Sequence, residues 1–94
     1  MTRRTINNSE IADRLDHVAD LLQLQDENAF RVRSYHAAAQ TVRELDQPVT
    51  DLMQQDGERV LRGLPGIGEK LAGSIREIAT TGRLGLEERL ESEI

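Results

Sequence analysis

Ninety-four residues suffice for one small domain, spanning 1–94, with one modest core. The absence of Cys excludes disulfides, thiolate metal sites and thiol nucleophiles, and no apolar run approaches the ~20 residues of a membrane span. The net charge of −5 argues against strong binding to a polyanion, but its distribution is uneven: residues 1–9 carry +2, 10–27 −5, 28–43 +3, 44–56 −4, 57–83 +2 and 84–94 −3.

No apolar stretch follows Met1-Thr2-Arg3-Arg4-Thr5, so the chain reads as lacking a signal peptide and as cytoplasmic. Lys70 is the only Lys; the other basic residues are Arg. Composition alone does not separate a genomic or habitat bias from a functional one. Phe30 and Tyr35 are the only aromatics, and Ala, Leu, Arg, Glu and Gln are abundant, which favours helices over strands.

In chain order, Asn7-Asn8-Ser9-Glu10 supplies capping residues, and Ile11, Leu15, Val18 and Leu22 then form one helical face. Asp13, Asp16, Asp20 and Gln23 lie mostly off that stripe. Gln25-Asp26-Glu27-Asn28 reads as a polar loop. Asn28 is an N-cap for a second helix to about Leu45, with Val32, Tyr35, Ala38, Ala39, Val42 and Leu45 at helical spacing, closed by Asp46-Gln47-Pro48. Short helices follow over Val49–Gln55 and Glu58–Gly63. Val49, Leu52 and Met53 face inward in the first of these, and Val60 and Leu61 in the second. A regular helix is expected over Glu69–Thr81, with Leu71, Ile75 and Ile78 inward and Gly82 as its C′ residue. A last helix, about Leu86–Glu93, carries Leu86, Leu90 and Ile94. The fold class is all-α: a compact bundle of five to six short helices, with no linker, low-complexity segment or second hairpin.

Leu64-Pro65-Gly66-Ile67-Gly68 is the informative cluster. Pro and two glycines let the chain reverse between helices, with φ > 0 open to Gly66 and Gly68. Gly68 opens the next helix, whose first N–H groups lack intrahelical acceptors. With the helix dipole they form an anion site, and Lys70 lies in the same turn. Ile67 is expected to pin the turn to the core. A glycine-rich αα-hairpin without a ligand is the plainer reading. The full pattern of Leu61, the turn, then Leu71, Ala72 and Ile75 favours phosphate binding.

This pattern resembles the helix-hairpin-helix motif of DNA repair and replication proteins. The resemblance implies hairpin N–H groups that contact phosphates without reading bases. It also implies a monovalent cation, Na+ or K+, on the main-chain carbonyls of Arg62, Leu64 and Ile67; no other cofactor is called for. Asn28-Ala29-Phe30-Arg31-Val32-Arg33-Ser34-Tyr35-His36-Ala37-Ala38-Ala39, the hairpin, and Thr81-Gly82-Arg83-Leu84 together resemble the N-terminal, lyase-type domain of bacterial family X DNA polymerases, which are similar to DNA polymerase beta. That resemblance places Arg31, Tyr35 and Lys70 at a 5′-phosphate pocket. Arg31 and Tyr35, four apart, share one helix face, and each also has a plainer reading, a solvated charge and a core aromatic. Arg33 lies on another face, where it touches backbone or only solubilises. The implied partner is gapped, nicked or 5′-phosphorylated DNA, together with larger polymerase or repair domains in cis or in trans, and no membrane.

The sequence departs from that family at the reactive amine. The position four after Lys70 is Ser74, which cannot form a Schiff base, and an auxiliary Lys position falls at Leu86. The domain is therefore read as a binder and not an enzyme. A lyase using Lys70 and a protein-interaction domain with a purely structural hairpin are the alternatives. The family continues towards a second hairpin and polymerase domains, so these residues are either a stand-alone protein or a piece of a longer one. His17 reads as a solvent-facing helix residue. His36 is a weak candidate for a donor beside Tyr35. Neither His is at metal-ligand spacing with the other or with paired carboxylates.

Overall fold

Asparagine side chains start the first two helices. Asn7 caps α1 (Asn8–Leu24), its side-chain oxygen accepting the Glu10 N–H at 2.8 Å. Asn28 caps α2 (Ala29–Arg43) by accepting from the Phe30 N–H at 2.8 Å. These belong to a computed structural model that describes residues 6–25 and 28–94. Residues 1–5, on which the reading of no signal peptide rests, and Asp26 and Glu27 of the polar loop lie outside the described residues.

Ile11, Leu15, Val18 and Leu22 of α1 are all fully buried, as their spacing predicts. They meet Tyr35, Ala38, Ala39 and Val42 of α2, and the small Ala pair lets the two antiparallel helices pack closely. The contact between α1 and α2 is the most extensive in the domain. α2 ends at Arg43, two residues before the expected Leu45. The reason is a tightened last turn, in which the Leu45 N–H reaches only the Val42 carbonyl, at 3.3 Å.

Asn8 reaches across to start α3 (Val49–Asp56). Its side-chain oxygen accepts the Val49 N–H at 2.8 Å and its amide donates to the Gln47 carbonyl at 2.9 Å. In α3 Val49 is buried, while Leu52 and Met53 are half-buried. A single turn, α4 (Arg59–Arg62), holds the buried Leu61, and α5 (Glu69–Thr81) buries Ala72, Ile75 and Ile78. Gly82 ends α5 in the left-handed conformation, φ 75°, with its N–H on the Ile78 carbonyl at 2.7 Å. A Cβ at Gly82 would stand 3.3 Å from the Ile6 side chain.

The last helix, α6 (Gly85–Ser92), returns to pack against α1 through Leu90. Ile94, expected on its inner face, is 70% exposed. The helix stops two residues short of it, so the spacing of four from Leu90 no longer brings it round to the core. The result is an all-α domain of six helices, 38 × 33 × 19 Å, with no strand among the described residues.

Candidate nucleic-acid interface

Leu64 to Ile67 form a β-turn closed by the Ile67 N–H on the Leu64 carbonyl at 3.1 Å. Pro65 at its second position and Gly66 at its third, with φ 75°, match a type II turn. Ile67 is 4% exposed and inserts into the core beside Leu61. Gly68 does not use the positive φ open to it. It is the N-cap of α5, at φ −89° and ψ −171°, the extended conformation that an N-cap adopts. What its missing side chain preserves is space: a Cβ at Gly66 or Gly68 would meet no protein atom within 4 Å.

The N–H groups of Gly66, Gly68, Glu69, Lys70 and Leu71 have no acceptor among the described residues. The Ala72 N–H is the first in α5 to be satisfied, by the Gly68 carbonyl at 2.9 Å. Free donors, a helix dipole and bare Cα positions thus coincide at one exposed turn, the arrangement an oxyanion requires. Lys70 is exposed in the first turn of α5. Of the three candidate cation ligands, Arg62 closes α4 while Leu64 and Ile67 open and close the turn. The Leu64 carbonyl already accepts one hydrogen bond, which leaves it one lone pair.

Some cations are paired and others are not; Arg33 on α2 and Arg89 on α6 are exposed without an ion pair among the described residues. Arg14 pairs with Glu87 at 2.7 Å, Arg43 with Asp13 and Asp16 at 2.6 Å each, and Arg83 with Glu88 at 2.7 Å. Arg59, Arg62, Lys70 and Arg76 are exposed and have no ion pair among the described residues. All four lie on α4 and α5, the helices that flank the turn. The side chains of Arg59, Arg62 and Arg76 were not singled out by motif; the basic balance of residues 57–83 was their signal.

Arg31 and Arg33 are exposed on α2. Tyr35 is a core residue, 7% exposed, yet its hydroxyl is not sealed from solvent and has no hydrogen-bond partner among the described residues. The ring is therefore structural and the hydroxyl is available. The Thr41 hydroxyl donates to the Pro65 carbonyl at 2.9 Å and brings the far end of α2 to the turn. Arg31 stands ten residues before Thr41, about 15 Å back along the helix axis, so it does not sit at the turn itself. Ser74 is half-buried on α5, and Leu86 is half-buried against the core.

Both histidines are engaged. His36 Nδ1 lies 2.7 Å from an Asp16 oxygen, so it joins α2 to α1. His17 is half-exposed, and it also has a partner the sequence does not show: its Nδ1 lies 2.7 Å from Oε2 of Glu87, seventy positions away. The ligand atoms of His17, Glu87 and Glu91 all fall within 4.8 Å of one another. Folding thus supplies a ligand spacing that linear sequence does not show.

Among the described residues no helix is long and apolar enough to cross a membrane. No curated protein matches the sequence. A family model for a helix-hairpin-helix domain matches residues 6–84, from the residue before the Asn7 cap to the buried Leu84 that precedes α6. Domains of that kind generally bind DNA without reading its sequence. The chain belongs to the helix-hairpin-helix domain family.

Proposed function

We propose that this domain grips the DNA backbone at the Gly66–Lys70 turn and prefers gaps, nicks or 5′-phosphorylated ends, as a non-catalytic relative of the family X polymerase N-terminal domain. The observation that carries this reading is the row of N–H groups beside Lys70 that have no acceptor among the described residues, flanked by Arg59, Arg62 and Arg76, which have no ion pair among them. Backbone contacts of this kind carry no sequence information. Few cations against an acidic remainder imply a Kd of ~10⁻⁶ M or weaker at physiological salt. A Na+ or K+ ion on the Arg62, Leu64 and Ile67 carbonyls would add positive charge at the same turn. Arg31 and the Tyr35 hydroxyl, with Arg33 nearby, offer a second phosphate position along α2.

Ser74 offers a hydroxyl where imine chemistry needs an amine, so the domain binds abasic DNA without cleaving it. Borohydride reduction with abasic DNA is expected to leave no covalent adduct. An adduct lost in Lys70→Ala would assign lyase activity instead. The central test is an amide-shift titration with gapped and intact duplexes, each with and without a 5′-phosphate. Shifts should concentrate at Gly66, Gly68 and Lys70 and be largest for the phosphorylated gap. If instead no amide of the turn moves, the hairpin is structural and the domain binds another protein.

A further inference from the structure

Away from the hairpin, α1 and α6 bring together two acid-rich segments, residues 10–27 and 84–94. Glu87 is buried there, 3% exposed, with Oε1 on Arg14 and Oε2 on His17, both at 2.7 Å. Glu91 follows one turn later on the same face of α6, exposed and without an ion pair among the described residues. Among the described residues Arg14 is the one Arg paired across this interface. Two carboxylates one turn apart repel each other, and Arg14 answers only the first. His17 brings a ring nitrogen within 4.8 Å of an oxygen of each.

We propose that His17, Glu87 and Glu91 form a divalent transition-metal site that fastens α6 to α1. An imidazole with two carboxylates suits Zn2+ or Co2+, whereas Mg2+ and Ca2+ prefer oxygen alone. The metal takes Glu87 Oε2 and the imidazole in place of their mutual hydrogen bond. Arg14 stays on Oε1 and acts as an outer partner that orients the carboxylate. Three protein ligands leave the remaining positions to water. The ligands come from helices at opposite ends of the sequence, so the ion stabilises the folded chain and not the unfolded one.

The test uses tag-free full-length protein, metal-stripped, in calorimetric titrations and thermal melts with Zn2+, Co2+ or Mg2+. One Zn2+ or Co2+ per chain is expected, with Tm raised by at least ~4 °C when metal is in large excess over Kd. Mg2+ should raise it far less. Glu91→Gln, at an exposed position, should fold with a metal-free Tm equal to or slightly above that of the wild type and lose tenfold or more in Zn2+ affinity. His17→Gln should lose Co2+ binding too. A Tm rise of equal size with Mg2+ and Zn2+, or one that survives both substitutions, means general screening of an acidic face and overturns the site. So does the absence of stoichiometric binding.

Discussion

The hydroxyl of Thr41 and the main-chain carbonyl of Pro65, twenty-four positions apart, are joined by a hydrogen bond of 2.9 Å. It fixes how the hairpin tip stands against α2, the helix that carries Arg31 and Tyr35. Thr41→Val keeps the shape and removes the donor. It is expected to cost about 1 kcal/mol of stability and to weaken binding to a 5′-phosphorylated gap more than binding to intact duplex. Melts and paired affinities check this; an equal loss on both DNAs would mean that the bond serves stability alone.

Arg62→Ala and Lys70→Ala should each lower DNA affinity several-fold, alike on unrelated sequences, and reduce the slope of log K against log salt by about 1. Arg83→Ala, which removes a cation already paired with Glu88, should leave the slope unchanged. Anisotropy titrations across a salt series give all three numbers. A sequence-dependent loss on Lys70→Ala is the outcome that contradicts backbone recognition.

Tyr35→Phe separates the ring from its hydroxyl. The ring is in the core and the hydroxyl is not hydrogen-bonded among the described residues, so Tm should move by no more than a few degrees. Preference for a 5′-phosphorylated over a dephosphorylated gap should fall by a factor of ~3 or more, the loss of one phosphate hydrogen bond. An unchanged preference removes Tyr35 from the phosphate pocket.

Much of the fold was legible in the sequence, and each failure has a physical cause. Periodicity and caps located every helix because Ile11 to Leu22 and Leu71 to Ile78 carry their burial in their spacing. The turn was legible because Pro65 and Gly66 admit few conformations. The partners of His17, His36 and Arg43 were not, since each lies sixteen or more positions away and depends on how helices pack. Gly68 misled for a different reason: glycine permits φ > 0 without requiring it, and an N-cap calls for extended backbone. Ile94 fits the period of α6 but lies past the end of the helix.

Asp16 gives the domain a pH signature. Burial pushes its carboxyl up, but hydrogen bonds from His36 and Arg43, with their charges, hold it below its ordinary value of 3.8. A carboxyl lowered in the folded state stabilises fully above its unfolded value and loses that contribution as pH falls through the folded one. Asp16→Asn should therefore lower stability by up to about 1 kcal/mol at neutral pH. The gap from wild type should close below pH ~4. Melts between pH 7 and 3 show whether it closes; a constant gap would mean that packing, not charge, is lost.

Gly73 within α5 and Gly82 at its C-cap should respond oppositely to Ala. Gly73 lies inside the helix and a Cβ there meets nothing, so Gly73→Ala should stabilise by about 1 kcal/mol. Gly82 holds φ 75° under Ile6, so Gly82→Ala should destabilise by about 1 kcal/mol or more. Thermal melts decide both signs.

The basic balance of residues 57–83 against the acidic balance of residues 10–27 and 84–94 has a consequence for crowding on DNA. A domain that docks through α4 and α5 carries the acidic residues of α1 and α6 onto the duplex with it. A duplex coated with such domains keeps a negative exterior, so neighbouring copies repel and each occupies its own stretch of backbone. Occupancy along a long duplex should then rise without cooperativity, and a second strand should not be bridged to the first.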